Sequence, residues 1–138
     1  MNRARLLLFA CLIGTTSACG SNNPLPTPTP PTMFTETFEG ILSPGGGQTF
    51  TFIAQASGNV TATVTSLLPD PASILGLSLG TVAGGGGCQV VIANDKATQQ
   101  SSVIGAAGSP GNLCVRVYDP LAGVVVQPLT FQLTVVHP

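Results

Sequence analysis

Charged residues, tryptophan and histidine are all scarce in this sequence. Only 7% of the 138 residues are charged, tryptophan is absent, and His137, which we expect in a solvated C-terminal tail, is the only histidine. A basic surface for nucleic acid is excluded, because such surfaces need clustered lysine and arginine. General acid–base catalysis needs a positioned pair of titratable groups, and the sequence offers none. The composition therefore argues against both a nucleic-acid-binding protein and an enzyme.

Signatures of cofactors and metals are missing as well. The run Gly84–Gly87 is not followed by lysine and Ser/Thr, so it does not match a phosphate-binding loop. A zinc site needs more ligands than two cysteines and His137 can supply. Asp70, Asp95 and Asp119, each predicted in a turn, would provide a calcium site only if those turns converged. We therefore predict that the protein carries no cofactor.

The first 18 residues have the order of a secretory signal peptide. Arg3 and Arg5 give a positive start, residues 6–13 form an apolar run, and residues 14–18 are small. A transmembrane helix would need about 20 apolar residues. The segment is therefore predicted to direct export and then to be removed.

The residues Thr16-Ser17-Ala18-Cys19 resemble the lipobox of bacterial lipoproteins, although that family usually has leucine where Thr16 stands. In that family the signal is cut before the cysteine, which then carries acyl chains. The resemblance implies lipidation of Cys19, attachment to the bacterial cell envelope and, since no aspartate follows the cysteine, the outer membrane. Cleavage at an ordinary small-x-small site is the alternative, and it would give a soluble secreted protein.

Cysteine parity agrees with lipidation. The chain has Cys11, Cys19, Cys88 and Cys114, and Cys11 would leave with the signal. An unpaired cysteine in an exported protein requires an explanation. Lipidation of Cys19 would explain the odd cysteine and would leave Cys88 and Cys114 to form a disulfide. That disulfide would stabilise the fold by about 3 kcal/mol in the loop-entropy description.

Residues 19–32 are predicted to be the lipidated cysteine followed by a tether. Five of the twelve residues in 21–32 are proline, which removes amide donors and prevents helix or sheet. Such a segment is an extended spacer that reaches roughly 35–40 Å.

Residues 33–138 show the two-residue alternation of half-buried β-strands. The alternation is regular in Thr49–Phe52, Val60–Thr65 and Thr130–Val135. Further strands are predicted at Phe34–Leu42, Ile74–Val82, Cys88–Ala93 and Leu113–Tyr118, and residues 96–104 hold either a helical turn or an edge strand. Seven or eight short strands separated by Gly- and Pro-rich turns predict an all-β fold, an antiparallel β-sandwich. Because Val115 and Val117 are expected to face the core, Cys114 is expected on an outer face or at a sheet edge.

The order of these patterns resembles the bacterial pre-peptidase C-terminal domain. The matching stretches are Gly45–Gly47, Phe50–Phe52, Gly58–Val64, Gly111–Val117 and Phe131–Val135. The resemblance implies a β-sandwich with jelly-roll-like topology that serves as an accessory or binding module. No peptidase precedes the domain in this chain.

The sequence therefore predicts a membrane-anchored, non-catalytic envelope lipoprotein that presents a β-sandwich as a structural or binding module. Its partner would be an envelope protein or a polysaccharide. The alternative is an accessory substrate- or carbohydrate-binding subunit of a separate secreted hydrolase, with Tyr118 as the aromatic side chain that could stack on a sugar.

Overall fold

Eight β-strands form the part of the chain that the structure describes. The computed structural model describes residues 27–138, so the predicted signal, Cys19 and the first part of the tether lie outside it. Residues 27–33 are exposed and belong to no helix or strand. The strands are β1 (Phe34–Leu42), β2 (Gly47–Ala54), β3 (Gly58–Leu68), β4 (Leu75–Val82), β5 (Cys88–Ala97), β6 (Ser102–Ala107), β7 (Gly111–Tyr118) and β8 (Leu129–His137).

The strands form two four-stranded antiparallel sheets, and the predicted fold class is confirmed. One sheet has the order β1-β8-β3-β6 and the other β2-β7-β4-β5. Consecutive strands lie in opposite sheets except β4 and β5, which are neighbours in one sheet, and this is the strand order of a jelly roll. Among residues 27–138, no helix has the length and apolar character needed to cross a bilayer.

The core lies between the sheets and follows directly from the period-two pattern. In β8 every second residue, from Leu129 to His137, is buried, while the residues between them are partly or fully exposed. β3 behaves in the same way as far as Val64, after which a bulge shifts its register against β8. The largest fully buried side chains are Phe131, Leu42, Leu67, Leu75, Leu77, Leu133, Val64, Val115, Val117 and Val135.

Of the two alternatives predicted for residues 96–104, the structure has the edge strand and not the helical turn. β5 continues to Ala97, a turn follows, and β6 begins at Ser102 as the edge of its sheet. In that turn Gln100 has a positive φ of 72°, and its backbone N–H donates to the Val64 carbonyl oxygen.

Three successive positions on the outer face of β4 carry small residues, Gly76, Ser78 and Gly80. A Cβ on Gly76 would lie 2.5 Å from two carbons of the Tyr118 ring, and a Cβ on Gly80 would overlap the Gln89 carbonyl oxygen. Ser78 is fully buried, and its hydroxyl has no hydrogen-bond partner among the described residues. The small residues therefore let groups from β7 and β5 meet directly above β4.

The Cys88–Cys114 disulfide is one of these contacts across β4. Cys114 lies in β7 and Cys88 at the start of β5, two strands away in the sheet, yet their Cα atoms are 5.8 Å apart. Because Val115 and Val117 are buried between the sheets, Cys114 lies on the opposite, outer face of its sheet. Its side chain is nevertheless fully covered on that face. The bridge closes a separation of 26 residues, for which the loop-entropy description gives about 3.5 kcal/mol.

Tyr118 and Asp95 make the second contact across β4. The Tyr118 hydroxyl donates to Asp95 Oδ1 in β5, and the Arg116 guanidinium lies 5.3 Å from the centre of the Tyr118 ring. Burial raises the pKa of Tyr118 to about 12, and the hydrogen bond and negative charge of Asp95 contribute in the same direction. Asp95, predicted in a turn, thus lies in a strand, and that prediction was wrong.

Titration of Tyr118 tests this contact cleanly, because it is the only tyrosine and the chain has no tryptophan. We expect its near-ultraviolet tyrosinate absorbance to appear with a midpoint at about 12. Asp95→Asn should lower that midpoint towards 10.0, the ordinary value, while Asp70→Asn should leave it unchanged. A wild-type midpoint near the ordinary value would contradict the contact.

The same pKa sets a pH dependence of stability. A group whose pKa is higher in the folded than in the unfolded protein contributes its full stability at pH values below the unfolded pKa. That contribution is lost as the pH rises through the folded pKa. The free energy of unfolding should therefore fall between pH 10.0 and about 12, and Tyr118→Phe should remove that part of the slope.

Candidate binding surface

The two ends of the sandwich differ in what they carry. The chain enters β1 at the end where β8 finishes, because Phe34 pairs with His137. The turns 55–57, 83–87 and 108–110 lie at this same end. The loops 43–46, 69–74, 98–101 and 119–128 lie at the opposite end, which we call the distal end. Loops that converge on one end of a rigid sandwich are a common place for binding sites.

Asp119 ties two of the distal loops together. Its carboxylate accepts hydrogen bonds from four backbone N–H groups, those of Gly45 (2.9 Å), Gly123 (3.0 Å), Val124 (3.2 Å) and Val125 (3.3 Å). Its own backbone N–H donates to a carbonyl oxygen of the 43–46 turn at 2.9 Å. The hydrogen bond from the Gly45 N–H, followed by those from the N–H groups of residues 123–125, lowers the pKa of Asp119. Burial acts in the opposite direction and is outweighed. The carboxylate therefore stays ionised and holds the 119–125 loop in one conformation.

The loop that Asp119 holds presents apolar side chains to solvent. Leu121 is 80% exposed and Val126 is 85% exposed, whereas Val125 between the sheets is 2% exposed and anchors the loop in the core. Leu68, the last residue of β3, is 56% exposed, and Ile74, in the 69–74 connection that follows it, is 40% exposed. We call Leu68, Ile74, Leu121, Val124 and Val126 the distal apolar surface.

A small cleft runs through this surface. It has a volume of about 70 Å³ and lies between residues 73–74 on one side and residues 124–127 on the other. The 98–101 turn supports the first side, because the Gln99 N–H donates to the Pro71 carbonyl oxygen at 3.2 Å. Apolar side chains around a shallow cleft are suited to docking an apolar group of another molecule.

His137 is a buried core residue, which corrects the prediction of a solvated tail. It is 2% exposed, and its Nε2 atom lies 3.0 Å from Glu36 Oε1. Its ring lies between Phe34 and Phe52, with centroid distances of 5.9 Å and 5.0 Å. The error arose because β8 continues to the penultimate residue, so the alternation that buries Val135 also buries His137.

The pocket beside His137 is an open groove rather than an enclosed site. It has a volume of about 410 Å³ and is lined by residues of β1, β2 and the end of β8. The histidine ring is bonded to Glu36 and not to a serine or cysteine nucleophile. The arrangement fixes β1 against β8, and it does not assemble the nucleophile and base of a hydrolase.

The three aspartates that could have formed a calcium site, had their turns converged, do not come together. Asp70 Oδ1 accepts from the Ala72 N–H at 2.9 Å within its own turn, while Asp95 is engaged by Tyr118 and Asp119 by four N–H groups. Within residues 27–138, no group of three or more His, Cys, Asp or Glu side chains could hold a metal ion. Asp70 and Asp119 are in turns, as predicted.

Tyr118 does not provide a free stacking face of the kind predicted for sugar binding. Its ring packs against the Gly76 backbone, the Arg116 guanidinium lies over the ring, and its hydroxyl donates a hydrogen bond to Asp95. The distal apolar surface was not predicted, because Leu121 and Val126 lie in a segment with no strand pattern. The one sequence signal was an aspartate directly after a strand and before a long loop.

Comparison with known proteins adds no assignment. The chain matches no protein-family model and no curated protein sequence.

Asp119→Asn tests the role of the carboxylate. The amide has one acceptor oxygen in place of two, so it cannot satisfy all four N–H groups. We expect faster hydrogen exchange at Gly45 and at residues 123–125, with β3 and β8 unchanged. The matched control is Asp70→Asn, which removes a carboxylate from another distal turn. Equal exchange in the two variants would contradict the assigned role.

The effect should also depend on pH. A carboxylate with a lowered pKa contributes stability above its unfolded pKa, and the contribution is lost as pH falls through the folded value. The difference in protection between wild type and Asp119→Asn should therefore be full at neutral pH and disappear as pH falls below 3.8 towards the lowered value.

Proposed function

We propose that the protein is a bacterial envelope lipoprotein whose β-sandwich is a non-catalytic binding module for another envelope protein. Lipid on Cys19 anchors the chain, and residues 20–32 space the sandwich from the membrane. The observation that carries the proposal is the difference between the two ends of the sandwich. The chain enters at one end, and the distal loops with their exposed apolar side chains lie at the other.

The anchor part rests on the sequence. The charged, apolar and small residues of the first 18 positions precede Cys19, and the disulfide between Cys88 and Cys114 leaves Cys19 as the odd cysteine after signal removal. More than one acyl chain gives stable membrane attachment, since each buried methylene is worth about 0.8 kcal/mol.

The binding part rests on the distal apolar surface. Leu121 and Val126 stay exposed on a loop that four hydrogen bonds to Asp119 hold in place, so ordering the loop on binding costs little entropy. None of the surface's residues is basic, and the exposed Asp70 lies between Leu68 and Ile74 in the chain, which favours an apolar patch on a protein over an anionic polysaccharide. An outer-membrane location and a likeness to pre-peptidase C-terminal domains remain part of the proposal.

Metabolic labelling with an alkyne analogue of palmitate tests the anchor. Wild-type protein expressed in a bacterium should incorporate the label, and Cys19→Ser should lose it because the acceptor thiol is gone. Cys11→Ser is the matched control and should keep the label, since that residue is removed with the signal. Absence of label from the wild type would contradict lipidation and favour a soluble secreted protein.

A further inference from the structure

The two long sides of the sandwich differ in their edge strands. One side is formed by the edges of β1 and β2, and the other by the edges of β5 and β6. The β5–β6 side exposes four β-branched side chains: Val90 (46%), Val91 (75%), Ile92 (38%) and Ile104 (60%). Between them lies an apolar pocket of about 50 Å³ that reaches the core. Exposed edges with apolar side chains are sites of strand pairing.

The edge of β5 is irregular and poorly suited to pairing. Its register against β4 shifts between Leu79 and Gly80, which leaves Val91 without a partner, and shifts again between Leu75 and Leu77. Bulges of this kind twist an edge and interrupt its row of free backbone groups.

The edge of β6 has the opposite character. Its six residues pair with Gly58–Thr63 of β3 without a shift in register. The strand holds no charge and no proline, which are two of the features that protect an edge from pairing. Ile104 projects from its outer face, while Val103 is buried in the core.

Charge distinguishes the two sides further. On the β1–β2 side, Glu36 lies on an edge strand with its carboxylate at His137, and Glu39 accepts a hydrogen bond from Gln132. Two copies that met through this side would bring like charges together, which destabilises strand pairs. On the β5–β6 side, the charges of Asp95 and Lys96 are opposite and cancel.

We propose that two copies of this chain pair through antiparallel β6 strands related by a twofold axis at Ile104. In this register Ile104 meets Ile104 of the second copy, and Val103 lies opposite the second copy's Gly105. Val103 and Gly105 both face the core. Core-facing residues of one copy therefore lie opposite core-facing residues of the other, and the two sheets join with their inner faces on the same side. The four-stranded sheets become one eight-stranded sheet, and the contact is closed because both copies use the same surface.

The contact is small. It joins one six-residue edge and a few apolar side chains from each copy, which places it at the low end of protein interfaces. The dimer is therefore reversible, and covalent capture is a better test than chromatography.

Ile104→Cys in the full-length chain provides that capture. Directly opposed residues in antiparallel strands have Cα atoms roughly 4.5–5.5 Å apart, which lies within the range of about 4.4–6.8 Å that a disulfide bridges. Mild oxidation of whole expressing cells should give a dimer band on a non-reducing gel, several-fold stronger than in the wild type.

Ile53→Cys is the matched control. Ile53 is also an isoleucine on an edge strand, and its exposure of 60% equals that of Ile104. Equal cross-linking of the two variants would overturn the proposal, as would stronger cross-linking of Ile53→Cys.

A second pair of variants tests the register. In this register Ser102 lies opposite Ala106 of the second copy, and both positions are exposed on the edge strand β6. Coexpressed Ser102→Cys and Ala106→Cys chains, one of them carrying a size tag, should form the mixed dimer in excess of either tagged or untagged homodimer. Absence of that excess would overturn the Ile104-centred pairing. Neither experiment depends on lipidation of Cys19 or on a partner at the distal end.

Discussion

The carboxylate of Asp119 is the interaction on which the candidate binding surface depends. Four N–H groups from two loops converge on it, and burial among them keeps water away without leaving any of these donors unpaired. A loop that exposes Leu121 and Val126 would otherwise gain by collapsing these side chains onto the sandwich. The hydrogen bonds fix the backbone, and the apolar side chains stay outside.

Behind this loop, the sheet that carries β7 is held by contacts that pass over β4. Gly76, Ser78 and Gly80 leave room there for the Cys88–Cys114 bridge and for the Tyr118–Asp95 hydrogen bond. Both contacts join β7 to β5, and Tyr118 directly precedes Asp119. The conformation of the distal loop is therefore tied to the edge strand of its sheet, in a domain that has no tryptophan and a single tyrosine.

The sandwich could be predicted from the sequence because alternation is a local property. The pattern placed β1 at its observed bounds and Cys114 on an outer face or at a sheet edge, and the structure has Cys114 on the outer face. The site could not be predicted in the same way. The role of Asp119 depends on Gly45, which is 74 residues away, and the burial of His137 depends on a strand that continues almost to the C-terminus. Contacts between loops from different strands leave no periodic signal.

A photo-cross-linking amino acid placed at Val126 in living cells tests the account most directly. Val126 is 85% exposed on the distal apolar surface, and Ser109, an exposed residue in the β6–β7 turn at the other end, is the control position. The account predicts one discrete adduct with another envelope protein from Val126, none from Ser109, and a weaker adduct when Asp119→Asn is added. No adduct from Val126, or the same adduct from Ser109, would contradict a binding surface at the distal loops.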